Sequence, residues 1–178
     1  MLGLVASHLR PGHPDFLDLP WDVPLAQWEG RTPRIERMPR GESRHEVVFV
    51  DYDRRVYALK AMAPAHAERE YQLLRRMEER ELPVVTAVGY LDVRTEEGPA
   101  SVLVTRYLEH SLPYHMLFST PAAEHDRHRD HLLDALASLL VQLHIGGVFW
   151  GDCSLFNTLF LRDAGTLQAV LVDAVSSR

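Results

Sequence analysis

The sequence has a single cysteine, no long apolar run and no excess of basic residues, and each of these absences excludes a class of protein. One cysteine, Cys153, permits neither an intrachain disulfide nor a zinc site built from cysteines. No apolar run approaches the length of a bilayer-spanning helix, and the opening apolar patch is too short for a signal peptide. The net charge of -6 argues against sequence-independent nucleic-acid binding. We therefore expect a cytoplasmic protein with no membrane span and no nucleic-acid partner.

The composition that remains is typical of an ordinary globular protein. Hydrophobic residues make up 46% of the 178 residues, which is enough for one domain or for one domain with an extension. Residues 1–40 are rich in proline and contain the large aromatic residues Phe16, Trp21 and Trp28. Because disordered tails are poor in aromatic residues, we expect this extension to lie on a folded surface.

From Glu46 onward the sequence predicts strands and helices in a definite order. "EVVFVDY" and "RVYALKAM" indicate a β-hairpin, and a helix then runs from Pro64 until just before Pro83. Two further strands follow, in "PVVTAVGYLDV" and "ASVLVTRYL", joined by the polar loop "RTEEGP". A second helix is predicted from near Ser119 to Gly146, before a last hairpin, "TLFL" turning through "RDAGT" into "LQAVLV".

Two charged residues fall on faces that are otherwise apolar. Alternation along the second predicted strand, "RVYALKAM", places Lys60 on one strand face with Val56 and Ala58. On the following helix, Glu70 lies on the inward stripe with Leu73, Leu74 and Met77. Since a buried charge is costly unless it is paired, the two residues are predicted to form an ion pair. The alternative is a surface glutamate and a snorkelling lysine.

A set of polar residues surrounds the last hairpin. Antiparallel pairing brings the residue before the first strand, Asn157, beside the residue after the second, Asp173. Asp152 lies in the loop that leads to Asn157. An amide oxygen and a carboxylate held together suit a hard cation such as Mg²⁺. The alternative is ordinary turn chemistry, in which Asp and Asn are common.

In this order the residues resemble the motifs of the protein-kinase-like superfamily, and most closely its bacterial lipopolysaccharide-kinase-like branch. The matching features are Ala58-Leu59-Lys60 on a strand, Glu70 on the next helix, "DCSLFN" from Asp152 to Asn157, and Asp173 after a hairpin. "SVLVTRYLEHSL" is similar to the strand and hinge that hold adenine. A bacterial family within that branch also carries "RPGHPDFLDLPWDVPL" and "RGESRHEVV".

The resemblance implies an α+β fold with the two lobes of a protein kinase. Residues 1–40 would form the proline-rich extension, and residues 41–109 an N-terminal lobe with an antiparallel sheet and one helix. Residues 110–178 would begin the C-terminal lobe with the catalytic loop and the metal-binding hairpin. Because the sequence ends five residues after Asp173, at Arg178, that lobe is expected to be truncated, in a fragment or in a naturally short protein.

The same resemblance implies ATP and Mg²⁺ as cofactors and gives each residue a role. Lys60 would contact the phosphates and be held by Glu70, while Asp152 would accept the proton of the attacking hydroxyl. Asn157 and Asp173 would hold Mg²⁺. The remaining nucleotide contacts would come from Ala58, from Thr105 at the position that guards the pocket, from the backbone of Arg106 and Leu108, and from Gly41 and Arg44 near the phosphates.

The sequence also departs from the kinase pattern. Gly41 alone stands for the glycine-rich loop, Trp150-Gly151 replaces the usual His-Arg, and Ser154 replaces a basic residue. We expect a phosphotransferase that acts on a hydroxyl of a sugar, a lipid-linked sugar, a small molecule or a protein. The alternative is an inactive pseudokinase that binds a nucleotide or a partner, or an inactive fragment. Asp152 favours catalysis, because a module that only binds has no need of that acid.

The second helix carries an apolar stripe at helical spacing. With no later helices to cover it, we expect the stripe to be exposed, either as a liability or as a docking surface for a partner or a second copy. Its residues are Leu132, Leu136, Leu139, Leu140 and Leu143.

Overall fold

A computed structural model describes residues 2–38, 45–114, 125–151, 153–163 and 166–174, without the side chains of residues 125–128 and 163. Within these residues the chain forms strands and helices in the order expected of an α+β fold. Their bounds are β1 Gly3–Leu9, β2 Val47–Tyr52, β3 Arg55–Met62, α1 His66–Glu78, β4 Ala87–Thr95, β5 Gly98–Arg106, β6 Ser111–Pro113, α2 His125–Ile145, β7 Thr158–Asp163 and β8 Thr166–Leu171.

The chain divides into two compact units. The first unit contains Met1–Gln72 and Thr86–Tyr107, and the second contains Leu73–Val85 and Leu108–Arg178. The division of the chain at residues 40 and 109 stays a prediction about its domains. Neither of the described helices is long and apolar enough to cross a membrane.

The first unit is built on a five-stranded antiparallel sheet in the order β1-β4-β5-β3-β2. The predicted hairpin forms β2 and β3, and both of its turn residues, Asp53 and Arg54, have positive φ as a tight primed turn requires. The loop between β4 and β5 is shorter than expected, since Thr95 and Gly98 already pair.

The first strand was not predicted from the sequence. β1 lies within the proline-rich segment and pairs with β4. At Gly89 of β4, an added Cβ would lie 2.2 Å from the carbonyl oxygen of His8 in β1. Only glycine therefore allows the two strands to approach this closely, at a point where the register of β4 is also irregular.

The core of the first unit lies between the sheet and the proline-rich segment. Phe16 and Trp28 are fully buried and Trp21 is nearly so, which confirms that this segment packs on the folded surface. Two indole N–H groups donate to backbone carbonyls, Trp21 to Phe16 and Trp28 to Val23, so the segment also satisfies its own buried donors. The sheet residues in this core are Val48, Val50, Tyr52, Tyr57, Leu59, Val88, Leu91, Val93, Val102 and Val104.

Helix α1 begins at a hydrogen-bonded contact with β5. The fully buried Ser101 hydroxyl donates to the carbonyl of Ala63 at 2.7 Å and accepts from the N–H of Ala67 at 3.3 Å. One hydroxyl thus satisfies two groups at the helix start, where backbone N–H groups lack intrahelical partners. This contact fixes the position of the first turn, and Glu70 lies at the start of the next turn.

The second unit combines helix α2 with the antiparallel sheet β6-β7-β8. Helix α2 packs against β8. The segment after α1 joins this sheet, because Val85 N–H donates to Leu171 O and Leu171 N–H donates to Pro83 O. Arg80 donates to the carbonyl of Gly146 at 2.7 Å and ties the same segment to the end of α2.

The predicted exposure of the α2 stripe is wrong: three of its five residues are buried, and Leu136 and Leu140 are half-buried. Leu132, Leu139 and Leu143 are at most 2% exposed, because this side of the helix packs on β8. The outward side instead carries exposed apolar residues, namely Leu133, Val141 and Ile145. The predicted start of the helix, near Ser119, lies outside the described residues.

Candidate active site

Lys60 and Glu70 form the predicted ion pair. The ammonium nitrogen of Lys60 lies 3.2 Å and 3.4 Å from the two carboxylate oxygens of Glu70. Glu70 has no exposed surface, whereas the side chain of Lys60 is 15% exposed. A fully buried carboxylate requires a partner, and the lysine supplies it while keeping access to solvent. Helical spacing and strand alternation were the signals that predicted this pair.

The sheet face that carries Lys60 is only half-buried, in contrast to the opposite face in the core. Strand register places Ala58 opposite Thr105 on one side and opposite Phe49 on the other. Ala58 and Phe49 are half-buried, and Thr105 is buried. The structure thus brings the predicted residues Ala58, Lys60 and Thr105 onto one face. Phe49 was missed, although the alternation of "VVFVDY" already places it opposite to Val48 and Val50.

The backbone after β5 has some of its hydrogen-bonding groups occupied. The N–H of Arg106 donates to the carbonyl of Thr86 at 2.9 Å, so only the carbonyl of Arg106 could face a base. The carbonyl of Leu108 accepts from the N–H of Ser111 at 3.2 Å. The N–H group of Leu108 is the donor that this residue could offer to a base.

The base of the β7–β8 hairpin holds Asn157 and Asp173. The carbonyl of Asn157 accepts from the N–H of Val172 at 3.0 Å, so that Val172 lies directly opposite and Asp173 is the next residue. The predicted register was thus one residue off, because the ladder continues past the end of β8. Both side chains are partly exposed.

Three predicted site residues, Gly41, Arg44 and Asp152, lie outside the described residues. Among the residues that are described, no group of three or more His, Cys, Asp or Glu side chains could hold a metal ion. An amide and a carboxylate, as in Asn157 and Asp173, are nonetheless a donor set that Mg²⁺ accepts, since this ion keeps several water ligands.

Comparison with known proteins assigns the chain to a family. The sequence profile of the "Lipopolysaccharide kinase (Kdo/WaaP) family" matches residues 40–177. The chain belongs to this family. Membership of this family makes the protein a kinase-like phosphotransferase. The predicted resemblance to the lipopolysaccharide-kinase-like branch is confirmed. No curated protein sequence matches the chain at a significant level.

Solved structures of this kinase family and of protein kinases share the fold. A structure titled "WaaP in complex with acyl carrier protein" matches with a TM-score of 0.58 and 20% identity, over 98% of this chain and 73% of that one. The "Crystal structure of BubR1 kinase domain" matches with a TM-score of 0.55 and 16% identity, over 80% of this chain and 46% of that one. At these identities the likeness concerns the fold, and the predicted α+β protein-kinase-like fold is confirmed.

Proposed function

We propose that this family member transfers the γ-phosphoryl group of ATP, with Mg²⁺, to a hydroxyl group of a sugar. The observation that carries the proposal is the Lys60–Glu70 pair, which holds an ammonium group at a half-open sheet face. In phosphoryl transfer the protein has little covalent chemistry to perform, and it acts by positioning the reactants and by balancing charge on the phosphate oxygens. A fixed lysine is suited to that task.

Most of the proposed nucleotide contacts come from residues of the first unit. Lys60 contacts the α- and β-phosphates, and Glu70 holds its ammonium group in place. Ala58 and Thr105, paired across β3 and β5, contact the adenine, with Phe49 on the neighbouring strand. The carbonyl of Arg106 and the N–H of Leu108 hydrogen-bond to the base. Gly41 and Arg44 are proposed to lie near the phosphates on the evidence of the sequence alone.

The metal and the acceptor are assigned to residues of the second unit. Asn157 and Asp173 hold Mg²⁺ through one amide and one carboxylate oxygen, and the ion neutralises charge on the phosphates when bound. Asp152 accepts the proton of the attacking hydroxyl. Its role rests on its place in "DCSLFN", five residues before Asn157.

A sugar is the favoured acceptor because the matched family is one of lipopolysaccharide kinases. A lipid-linked sugar belongs to the same class, whereas a small molecule or a protein would need support from another source. The pseudokinase alternative predicts nucleotide or partner binding without turnover, and it is distinguished from the proposal by the variants described next.

The test compares Asp173→Ala with Asp152→Ala by calorimetric titration with ATP, with and without Mg²⁺. Asp173→Ala should lose the Mg²⁺-dependent part of ATP affinity, because the cation loses its carboxylate ligand. Asp152→Ala should retain nucleotide affinity and lose turnover by about 10²–10⁴-fold, the usual worth of general-base assistance.

The exposed acid Asp134 on α2 offers a matched control, and Asp134→Ala should behave as the parent. Equal loss of ATP binding in Asp152→Ala and Asp173→Ala would mean that both acids are structural. A parent protein that binds no ATP would overturn the proposed function, whereas ATP binding without phosphorylation of any sugar would favour the pseudokinase.

A further inference from the structure

The ring of Phe156 is exposed at an unusual position, directly before the proposed metal ligand Asn157. Its side chain is 52% exposed although it belongs to a short 3-10 turn, Leu155–Asn157. The hydrogen bonds of the turn do not involve the Phe156 side chain, so the turn itself gives no reason for an aromatic residue here. A single exposed ring is common on protein surfaces, so the inference depends on the place of Phe156 beside Asn157 and on the second ring that packs against it.

The turn holds this ring in a fixed place. The hydroxyl of Ser154 accepts from the N–H of Phe156 at 3.2 Å, and the carbonyl of Ser154 accepts from the N–H of Asn157 at 3.1 Å. The same carbonyl accepts from the hydroxyl of Thr158 at 3.0 Å. With both ends of the turn hydrogen-bonded, Phe156 is presented to solvent by an ordered backbone.

A second aromatic ring lies against the first. The rings of Tyr114 and Phe156 pack edge to face, with centroids 5.0 Å apart and planes at 78°. Tyr114 directly follows β6, in which Pro113 pairs with Leu159 of β7. Two segments distant in sequence thus deliver two rings to one point. We call this pair, Phe156 and Tyr114, the aromatic corner.

The chemistry of the aromatic corner fits the apolar face of a sugar ring. An aromatic ring carries negative charge on its face, and the C–H groups on one side of a pyranose are weakly positive and apolar. Phe156 offers no hydrogen-bonding group, so it would select the C–H side of a sugar and leave the hydroxyl groups free for transfer. Two nearly perpendicular rings also limit how a flat ligand can lie.

We propose that the aromatic corner is the platform on which the sugar ring of the acceptor lies, beside Asn157. The inference rests on the proposed function and adds to it the residues that position the acceptor. Phe156 and Tyr114 are positioning residues for the acceptor and make no contribution to nucleotide binding.

The test measures two affinities separately on the full chain. The probe is delipidated core oligosaccharide from lipopolysaccharide, titrated by calorimetry into the parent, Phe156→Ala, Phe156→Tyr and Phe149→Ala, with Mg²⁺ and ATP affinity measured in parallel. Phe149 is the matched control, since it is an exposed phenylalanine (62%) of the same unit that lies outside the corner.

Phe156→Ala should weaken oligosaccharide affinity about tenfold, from the loss of one aromatic contact. Phe156→Tyr should restore that affinity, and Phe149→Ala should leave it unchanged. Affinity for ATP should be the same in all four proteins. Once turnover is measured, Phe156→Ala should raise the KM for the acceptor while the KM for ATP stays constant.

Unchanged oligosaccharide affinity in Phe156→Ala would overturn the inference, as would an equal loss in Phe149→Ala. A parent that binds Mg²⁺ and ATP but not the oligosaccharide would overturn the inference alone and leave the proposed function standing. Loss of ATP binding by the parent would overturn the proposed function instead, so the two failures are distinguishable.

Discussion

The buried charged residue Glu70 has a partner of opposite charge, without which its burial would cost free energy. Glu70 has no exposed surface, and the ammonium group of Lys60 lies within 3.4 Å of both its oxygens. Such a pair adds little stability compared with apolar residues, because desolvation of both charges offsets their attraction. The pair is therefore better explained by the phosphate contact proposed above than by the stability of the fold.

Removing one partner of this pair should destabilise the protein, and removing both should not. Lys60→Met leaves the buried carboxylate without its ammonium partner, and we expect a loss of about 3 kcal/mol in the free energy of unfolding. The double variant Lys60→Met with Glu70→Leu should recover most of that loss. Urea unfolding of the three proteins measures both effects. A double variant no more stable than Lys60→Met would show that other contacts of Glu70 dominate.

A second set of paired residues anchors the proline-rich segment. Asp18 accepts hydrogen bonds from the Tyr52 hydroxyl and from Arg34 at 2.9 Å, and Arg34 also lies over the Tyr52 ring. Burial alone would raise the pKa of the Asp18 carboxyl, but the bonds from Tyr52 and Arg34 outweigh it, so that this pKa lies below its usual value. Burial, and then the bond to Asp18, raise the pKa of Tyr52.

These two shifts predict opposite pH dependences. A lowered carboxyl pKa stabilises the fold above the ordinary value of about 3.9, and that contribution is lost as the pH falls further. The difference in stability between the parent and Asp18→Asn should therefore shrink below about pH 4. A raised tyrosine pKa stabilises the fold below about pH 10, and this contribution is lost as the pH rises further. Above about pH 10 the parent should therefore lose its stability advantage over Tyr52→Phe. Differences that stay constant with pH, measured by urea unfolding, would contradict both statements.

Helix α2 was predicted from its periodicity, but its buried side differs from the prediction. Its apolar residues occupy more than one side of the helix, so periodicity alone does not decide which side is buried. Packing on β8 buries Leu139 and Leu143, and leaves Leu133 more than half exposed. The choice depends on a strand more than twenty residues further along the chain, which local spacing cannot reveal.

The two sides of α2 should respond differently to truncation of a leucine. Leu139→Ala removes a side chain that is 1% exposed, and we expect a loss of about 2–5 kcal/mol. The matched change Leu133→Ala, at a position 53% exposed, should alter stability by at most about 0.5 kcal/mol. Thermal or urea unfolding of both variants is the measurement. Equal losses would mean that something covers the outward side in solution.

At the scale of the whole molecule, the proline-rich segment belongs to the core of the first unit. It contributes an edge strand, β1, and a group of buried aromatic and aliphatic residues to one sheet face. That face is thereby closed, and the other face, with Lys60 and Ala58, remains partly open. The segment thus determines which side of the sheet is available to a ligand.

Removing this segment should abolish the cooperative unfolding of the first unit. A chain that lacks residues 1–28 would expose Val48, Val50, Tyr57 and Leu59, and we expect aggregation or binding of a dye specific for apolar surface. The single change Trp28→Ala gives a quantitative version, with an expected loss of about 3–5 kcal/mol. Leu17→Ala, at an exposed position in the same segment, is the control. A truncated chain that unfolds like the parent would mean that the segment is dispensable.

The sequence by itself determined the features that depend on local periodicity. Alternation predicted β2 and β3, helical spacing predicted the stripe of α1, and together they predicted that Lys60 and Glu70 meet. These signals are reliable because side-chain direction repeats every two residues in a strand and about every 3.6 in a helix.

Only the tertiary structure decided the features that depend on distant segments. The pairing of β1 with β4, the buried side of α2, the contact of Ser101 with the start of α1 and the meeting of Tyr114 with Phe156 each join residues far apart in sequence. The physical reason is that burial and register are fixed by whichever surface a segment packs against. The sequence shows which residues are apolar enough to be buried, and tertiary packing determines which of them are buried.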